Sequence, residues 1–378
     1  MLANAQSMTT LWANEVPSGW PSDGALPRLR LGDMVRSPTG PLVFLADEGD
    51  HRAALLVEAN EAGAGRWIPV PLTGTELHLA AGDGDRLWVG GTVNQRRGAL
   101  GHHLSEAYLV KLNTRGQVAW ERTFGGNSER TIQGVSSLPS DDVAVVGQDD
   151  DKSWLARISA DGQIVWEHRF GSGALASVTT VGGHIVVAGF DRVDDHNSQV
   201  NLVLWRFDGR GQPLGRDVIH EDVGNGVRVW PRWFVRLWAS SDDAVYVFAL
   251  WSELLAANPL DAVKVTMQGR VVWRRQLPQS MLQARTPPVD RGREAHCIPK
   301  ITILANGHPL IACSTDKAIV LSELDAATGD LSQASLERNR ARTGGSVAQI
   351  LQKSSEIFWL FGQDRNSMWL GQAHLGHR

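Results

Sequence analysis

The chain has 378 residues, a formal net charge of -4, 42% hydrophobic residues and 21% charged residues. That balance excludes a disordered polyelectrolyte and a globally basic nucleic-acid binder. The length exceeds one ordinary domain unless a repeat absorbs it, and 39 glycines point to many tight turns.

The first segment, Met1 to Trp20, has neither a basic stretch followed by an apolar run nor any approach to the ~20 apolar residues that span a bilayer. The expected location is the cytoplasm, or the periplasm if a signal precedes the sequence. Thr9 to Val16 reads as one strand carrying Trp12. Further along, Ala107 to Phe124 and Ser153 to Phe170 are near-copies, with Trp120 and Trp166 spaced 46 residues apart. Each copy alternates apolar and polar residues, turns at Gly116 or Gly162, and alternates again, the pattern of a hairpin of two half-buried strands.

Weaker copies run from Ala54 to Val70 with Gly63 and Trp67, from Leu202 to Gly215 with Gly211, from Ala262 to Leu277 with Gly269 and Trp273, and from Ala318 to Leu331 with Gly329. A second hairpin precedes each, turning at Ser37 to Gly40, Gly82 to Asp85, Pro139 to Asp142, Val181 to His184, Ser240 to Asp243 and Ala305 to His308. One more turns at Lys353 to Glu356. Continuous apolar strands such as Val143 to Gly147 and Ile185 to Gly189 suit the buried middle of a sheet.

The expected fold is all-β: a seven-bladed β-propeller of four-stranded antiparallel blades, its ring closed by the N-terminal strand pairing in the last blade. The blades are expected at 31–70, 76–124, 131–170, 175–217, 234–277, 297–331 and 346–375, the last completed by 9–16, within one domain over 1–378. The repeated tryptophans are expected to pack between blades.

The units resemble bacterial propeller repeats of the pyrroloquinoline-quinone-like and Gly/Trp-containing types. Leu324 to Asp330 looks like the turn of quinoprotein repeats, and Trp120 and Trp166 stand in the place of their packing tryptophans. The resemblance implies the fold and not the chemistry, because quinoprotein dehydrogenases have eight blades and a calcium-assisted cofactor site, and no such ligand set is legible here.

The sequence points to no catalytic set, no metal site and no cofactor. His102 and His103 are adjacent, which puts them on opposite faces of an extended segment, and the remaining histidines are scattered. Cys297 and Cys313 fall near the ends of one predicted hairpin; a cross-strand pair and two thiols are both open. On the inner strands, Asp33 and Glu76 are carboxylates that a tunnel enzyme, of lactonase or other hydrolase type, would use on a sugar or small molecule.

The long connections all fall on one face: Thr92 to Glu106, Asp191 to Gln199, Val218 to Arg232, Trp251 to Leu260, Pro278 to Ala295 and Ala334 to Gly345. Long loops on a rigid scaffold are where binding is housed. Arg285, Arg291, Arg293, Arg338, Arg340 and Arg342 form an expected basic sector there. Asp191, Asp194 and Asp195, beside Asp149, Asp150 and Asp151, form an acidic one. Trp230, Trp233 and Trp251 are expected anchors. A surface of mixed sign favours another protein as partner over nucleic acid or membrane, with the chain itself monomeric: a non-enzymatic scaffold, or an inhibitor or immunity-type neutraliser. Carbohydrate binding through exposed tryptophans is a further alternative.

Overall fold

The computed structural model describes residues 7–14, 29–37, 40–47, 53–57, 66–97, 102–126, 128–171, 173–193, 200–221, 234–250, 260–277, 300–314, 318–337, 346–352, 357–363 and 368–374. Strand β1 spans Ser7–Asn14. Sheet I comprises β2 (Leu29–Ser37), β3 (Gly40–Asp47), β4 (Ala53–Val57) and β5 (Arg66–Val70). Sheet II comprises β6 (Thr75–Ala81), β7 (Arg86–Arg97), β8 (His102–Asn113) and β9 (Val118–Phe124). Sheet III holds β10 (Arg130–Leu138), β11 (Asp142–Asp149), β12 (Lys152–Ile158) and β13 (Ile164–Phe170). Sheet IV holds β14 (Gly173–Val181), β15 (His184–Arg192), β16 (Val200–Phe207) and β17 (Pro213–His220). Sheet V is formed by β18 (Phe234–Ala239), β19 (Ala244–Leu250), β20 (Leu260–Thr266) and β21 (Val271–Leu277). Sheet VI is formed by β22 (Lys300–Ile303), β23 (Pro309–Ser314), β24 (Ala318–Leu324) and β25 (Leu331–Glu337). Sheet VII follows with β26 (Ser346–Gln352), β27 (Ile357–Gln363) and β28 (Met368–His374).

Each sheet is antiparallel and four-stranded, and in sheet VII β1 lies outside β28, with Trp12 opposite Leu370. Sheets adjacent in sequence pack face to face, the arrangement of a β-propeller. One core cluster joins Val186 and Ala188 of β15 to Val245 and Val247 of β19, and another joins Trp88 and Leu109 of sheet II to Val143 and Trp154 of sheet III. This double covering explains the continuous apolar runs of the second strands. Residues 142 to 147 of β11 are all buried, whereas Val165 on the outer strand β13 is half exposed.

The innermost strands carry a repeated irregularity. The register of β10 steps between Ile132 and Gly134, and equivalent steps occur at Leu31/Met34 in β2, Thr75/His78 in β6, Leu175/Ser177 in β14 and Val347/Gln349 in β26. These are β-bulges, which need room on the neighbouring strand. Glycine supplies it at four of the five: Gly147, opposite Ile132, lies so close to the Thr131 carbonyl that any side chain there would collide with it, and Gly91, Gly189 and Gly362 stand at the steps of β6, β14 and β26, whereas the step in β2 faces Val43 to Leu45. Strands β19 and β23 contain no glycine, and their partners β18 and β22 run without a bulge.

Candidate interaction face

Antiparallel order puts the first and third turns of every sheet at one end and the remaining connections at the other, so the assembly has two unlike faces. On the short-turn face the polar groups are used between sheets. Lys111 of β8 donates to the Ala160 carbonyl at 3.0 Å and pairs with Asp141 at 2.5 Å, both in sheet III, with its ammonium 5.1 Å from the Trp88 ring. Trp120 donates to the same carbonyl at 2.9 Å. The arrangement recurs in sheet V: Lys264 binds Asp242 at 2.6 Å and the Ala326 carbonyl of sheet VI at 2.9 Å, and Trp273 donates to Ala326 at 3.1 Å. Arg157 reaches the Gly209 carbonyl of sheet IV at 2.6 Å.

The glycine in the following turn lets this contact form. Gly329 has φ of 73°, a left-handed conformation, and a Cβ there would come within 2.7 Å of the Trp273 ring. Trp120, Trp166 and Trp273 therefore pack between sheets, as the repeat implied; the side chain of Trp67 lies outside the described residues. Sheet IV departs from the pattern because Gly215 replaces tryptophan. Its space is filled by the buried guanidinium of Arg206, which pairs with Asp217 at 2.6 Å and donates to the Met267 carbonyl of sheet V.

The opposite face differs in build. Within the segment Thr92 to Glu106, expected as a loop, the described residues 92–97 and 102–106 form a two-stranded arm: β7 and β8 stay paired from Arg86↔Asn113 to Arg97↔His102. Pairing to β6 stops at Thr75↔Thr92, and pairing to β9 stops at Ala107↔Phe124. The corresponding connection of sheet III is the two-residue turn Asp150-Asp151.

Among the acidic residues placed on this face, Asp149 is buried, and it binds Arg130 at 2.8 Å and Arg169 at 2.5 Å. Arg130 is itself buried over the Trp154 ring, 4.6 Å from its centroid, and Trp154 donates to Glu167 at 3.0 Å. Burial opposes ionisation of Asp149, but hydrogen bonds from Arg130 and Ser128 and the charges of Arg130 and Arg169 outweigh it and hold the carboxyl below the ordinary value of 3.8. Asp150 accepts from the Glu129 amide at 2.9 Å. Asp191, at the end of β15, pairs with Arg216 at 2.6 Å. Between sheets IV and V, His220 meets the buried Asp261 at 3.2 Å, a contact that sequence spacing does not announce.

Arg285, Arg291, Arg293, Arg338, Arg340, Arg342, Trp230, Trp233, Trp251, Asp194 and Asp195 lie outside the described residues. So does Cys297, while Cys313 is buried in the core between sheets V and VI. Asp33 and Glu76 both fall within bulges, and Glu76 is exposed with φ of 51°. Of the Asp33 side chain nothing is described.

No family model matches the chain, and no curated protein matches its sequence. Solved structures do resemble it. A puromycin-hydrolyzing peptidase from Mycobacterium tuberculosis is 13% identical, covering 95% of this chain and 54% of the peptidase, at a TM-score of 0.51. A functionally unknown protein from Desulfotomaculum acetoxidans is 12% identical over 88% of this chain and 94% of its own, also at 0.51. BamB from Moraxella catarrhalis is 14% identical over 98% and 92%, at 0.49. At these identities the likeness shows the β-propeller fold alone.

Proposed function

We propose that the chain is one seven-bladed propeller domain of the quinoprotein-like repeat type, closed by β1, that binds another protein through its long-connection face. The observation that carries this reading is the inequality of the two faces. On one, short turns are consumed in hydrogen bonds between sheets; on the other, the β7–β8 arm projects and the long segments 222–233, 278–299 and 338–345 begin. Recognition on a rigid repeat scaffold is placed where insertions collect. The partner role is that of a scaffold or of a neutraliser that covers a partner's active surface, in the cytoplasm and without nucleic acid or membrane.

The test is affinity capture comparing the native chain with Arg338→Glu/Arg340→Glu/Arg342→Glu. One stoichiometric partner is expected on the native protein and at least ~10-fold less on the variant, with circular dichroism unchanged, since Arg and Trp dominate binding hot spots. Equal retention by both would remove these arginines from the site.

A second reading, a tunnel enzyme acting on a small molecule, is favoured by the bulges at Asp33 and Glu76, because bulges re-aim side chains and collect beside active sites. It expects turnover of a lactone or sugar ester panel by the native chain and at least ~100-fold slower turnover by Glu76→Gln, the scale of a general base. Absence of turnover by the native chain would dismiss it.

A further inference from the structure

The third turn of each of sheets II to VI is opened by one rung: Leu112↔Val118, Ile158↔Ile164, Phe207↔Pro213, Val265↔Val271 and Leu324↔Leu331. The residue just before that rung on the third strand is Lys111, Arg157, Arg206 and Lys264 in sheets II to V. Each of these cations donates to a carbonyl in the third turn of the next sheet, at Ala160, Gly209, Met267 and Ala326.

In sheet VI the same position holds Glu323. A carboxylate only accepts, and Glu323 is turned to its own sheet, where it meets His308 Nδ1 at 2.7 Å and accepts from Asn306 at 3.3 Å. Two residues past the rung, Gln333 stands where sheets II, III and V have Trp120, Trp166 and Trp273. The reason lies in the sheet ahead. The third and fourth strands of sheet VII are β28 and β1, the last and the first in chain order, and they meet at Ser7↔His374 without a turn between them. Sheets VI and VII are joined by an apolar cluster that includes Leu310, Leu321, Phe358 and Leu360, and by a hydrogen bond from the Ala305 amide to Gln352 Oε1 at 2.7 Å on the exposed rim, where water competes for both groups. Sheet I also lacks the cation, having Leu56 at this position, but the third turn ahead of it is packed another way, with Gly116 against Ile68 and Val70.

We infer that the ring has a built-in seam: of the junctions from II–III to VI–VII, the VI–VII junction opens first, parting two intact sheets while the clasped junctions stay closed. In a stack of repeats each unit is held by its neighbours alone, and local opening follows the weakest interface. The inference uses the pairing of β1 with β28 and does not depend on the protein-binding reading.

The test is the rate at which a thiol reagent labels buried cysteines under native conditions, in the full chain carrying Cys297→Ser/Cys313→Ala. Ala312→Cys reports on VI–VII, Ala262→Cys on V–VI and Ala188→Cys on IV–V, and all three alanines are 0% exposed. Ala312→Cys is expected to label at least ~10-fold faster than the other two, the scale of one hydrogen bond from a charged donor, with equal urea midpoints. Lys264→Met should raise labelling of Ala262→Cys by a similar factor and leave Ala188→Cys unchanged. If Ala312→Cys fails to fold, Leu321→Cys reports on the same junction. Labelling at the VI–VII position no faster than at the other two, or Lys264→Met without effect on Ala262→Cys, would overturn the inference.

Discussion

Asp149→Ala is expected to destabilise the protein by about 3 kcal/mol in urea unfolding, because it removes the 2.8 Å carboxylate from the buried Arg130 guanidinium and leaves it only Glu167, at 3.4 Å and one-third exposed. The two side chains are 6% and 3% exposed, so water replaces the lost partner poorly. The informative companion is Arg130→Met/Asp149→Leu. It removes both charges and keeps the volume, and it is expected to recover most of the loss, because a buried pair stabilises little relative to an apolar replacement of the same size. A single variant costing less than about 1 kcal/mol would show that Arg130 turns outward to solvent instead.

The same carboxylate gives an acid limb of known sign. Its folded-state pKa is depressed below 3.8, so the stability it contributes is fully present above that value and is lost as pH falls through the folded pKa. Native protein should therefore lose stability more steeply below pH 3.8 than the double variant does.

Trp273→Ala is expected to cost about 3–5 kcal/mol, the range for removing a buried aromatic side chain and leaving a cavity. The ring is 6% exposed, lies 5.9 Å from the Tyr246 ring and donates to the Ala326 carbonyl of the next sheet. Trp273→Phe keeps most of the packing and loses the hydrogen bond, for which about 1 kcal/mol beyond the volume change is expected. Because the contact joins sheets V and VI, the alanine variant should also broaden the unfolding transition followed by circular dichroism, as neighbouring repeats uncouple. A sharp transition with an unchanged midpoint would mean that the tryptophan is an exposed platform.

The hairpins and the tryptophan positions were legible because alternation and left-handed glycines leave local marks: Gly116, Gly162, Gly211, Gly269 and Gly329 all have φ between 73° and 85°. The arm was not legible as strands. Its residues, from Asn94 through two arginines and two glycines to His103, show no apolar–polar alternation, which is the mark by which a half-buried strand is read from sequence. Nor was the role of Asp149, which reads as one acid in a surface run of three. Its partners Arg130 and Arg169 are each about twenty residues away, and no periodicity reports which charge will be enclosed. Sheet IV shows a third case, in which a missing tryptophan is answered by an arginine from the adjacent strand, visible only once Arg206 and Gly215 are seen face to face. On the candidate face, Asp149, Asp150 and Asp191 of the expected acidic sector lie among the described residues with their partners: Asp149 binds Arg130 and Arg169, Asp150 accepts from the Glu129 amide, and Asp191 pairs with Arg216.

The short-turn contacts also have a direction. Lys111, Arg157, Arg206 and Lys264 each donate forward, to a carbonyl in the sheet that follows in sequence. A nascent chain emerging from the ribosome therefore carries, on its latest completed sheet, a cation whose acceptor has not yet been synthesised. The molecule is polar in time as well as in sequence. Removing sheets from the C-terminal side leaves the last cation without its carbonyl, whereas removing them from the N-terminal side leaves a turn carbonyl without its donor, and water meets the uncovered group in either case.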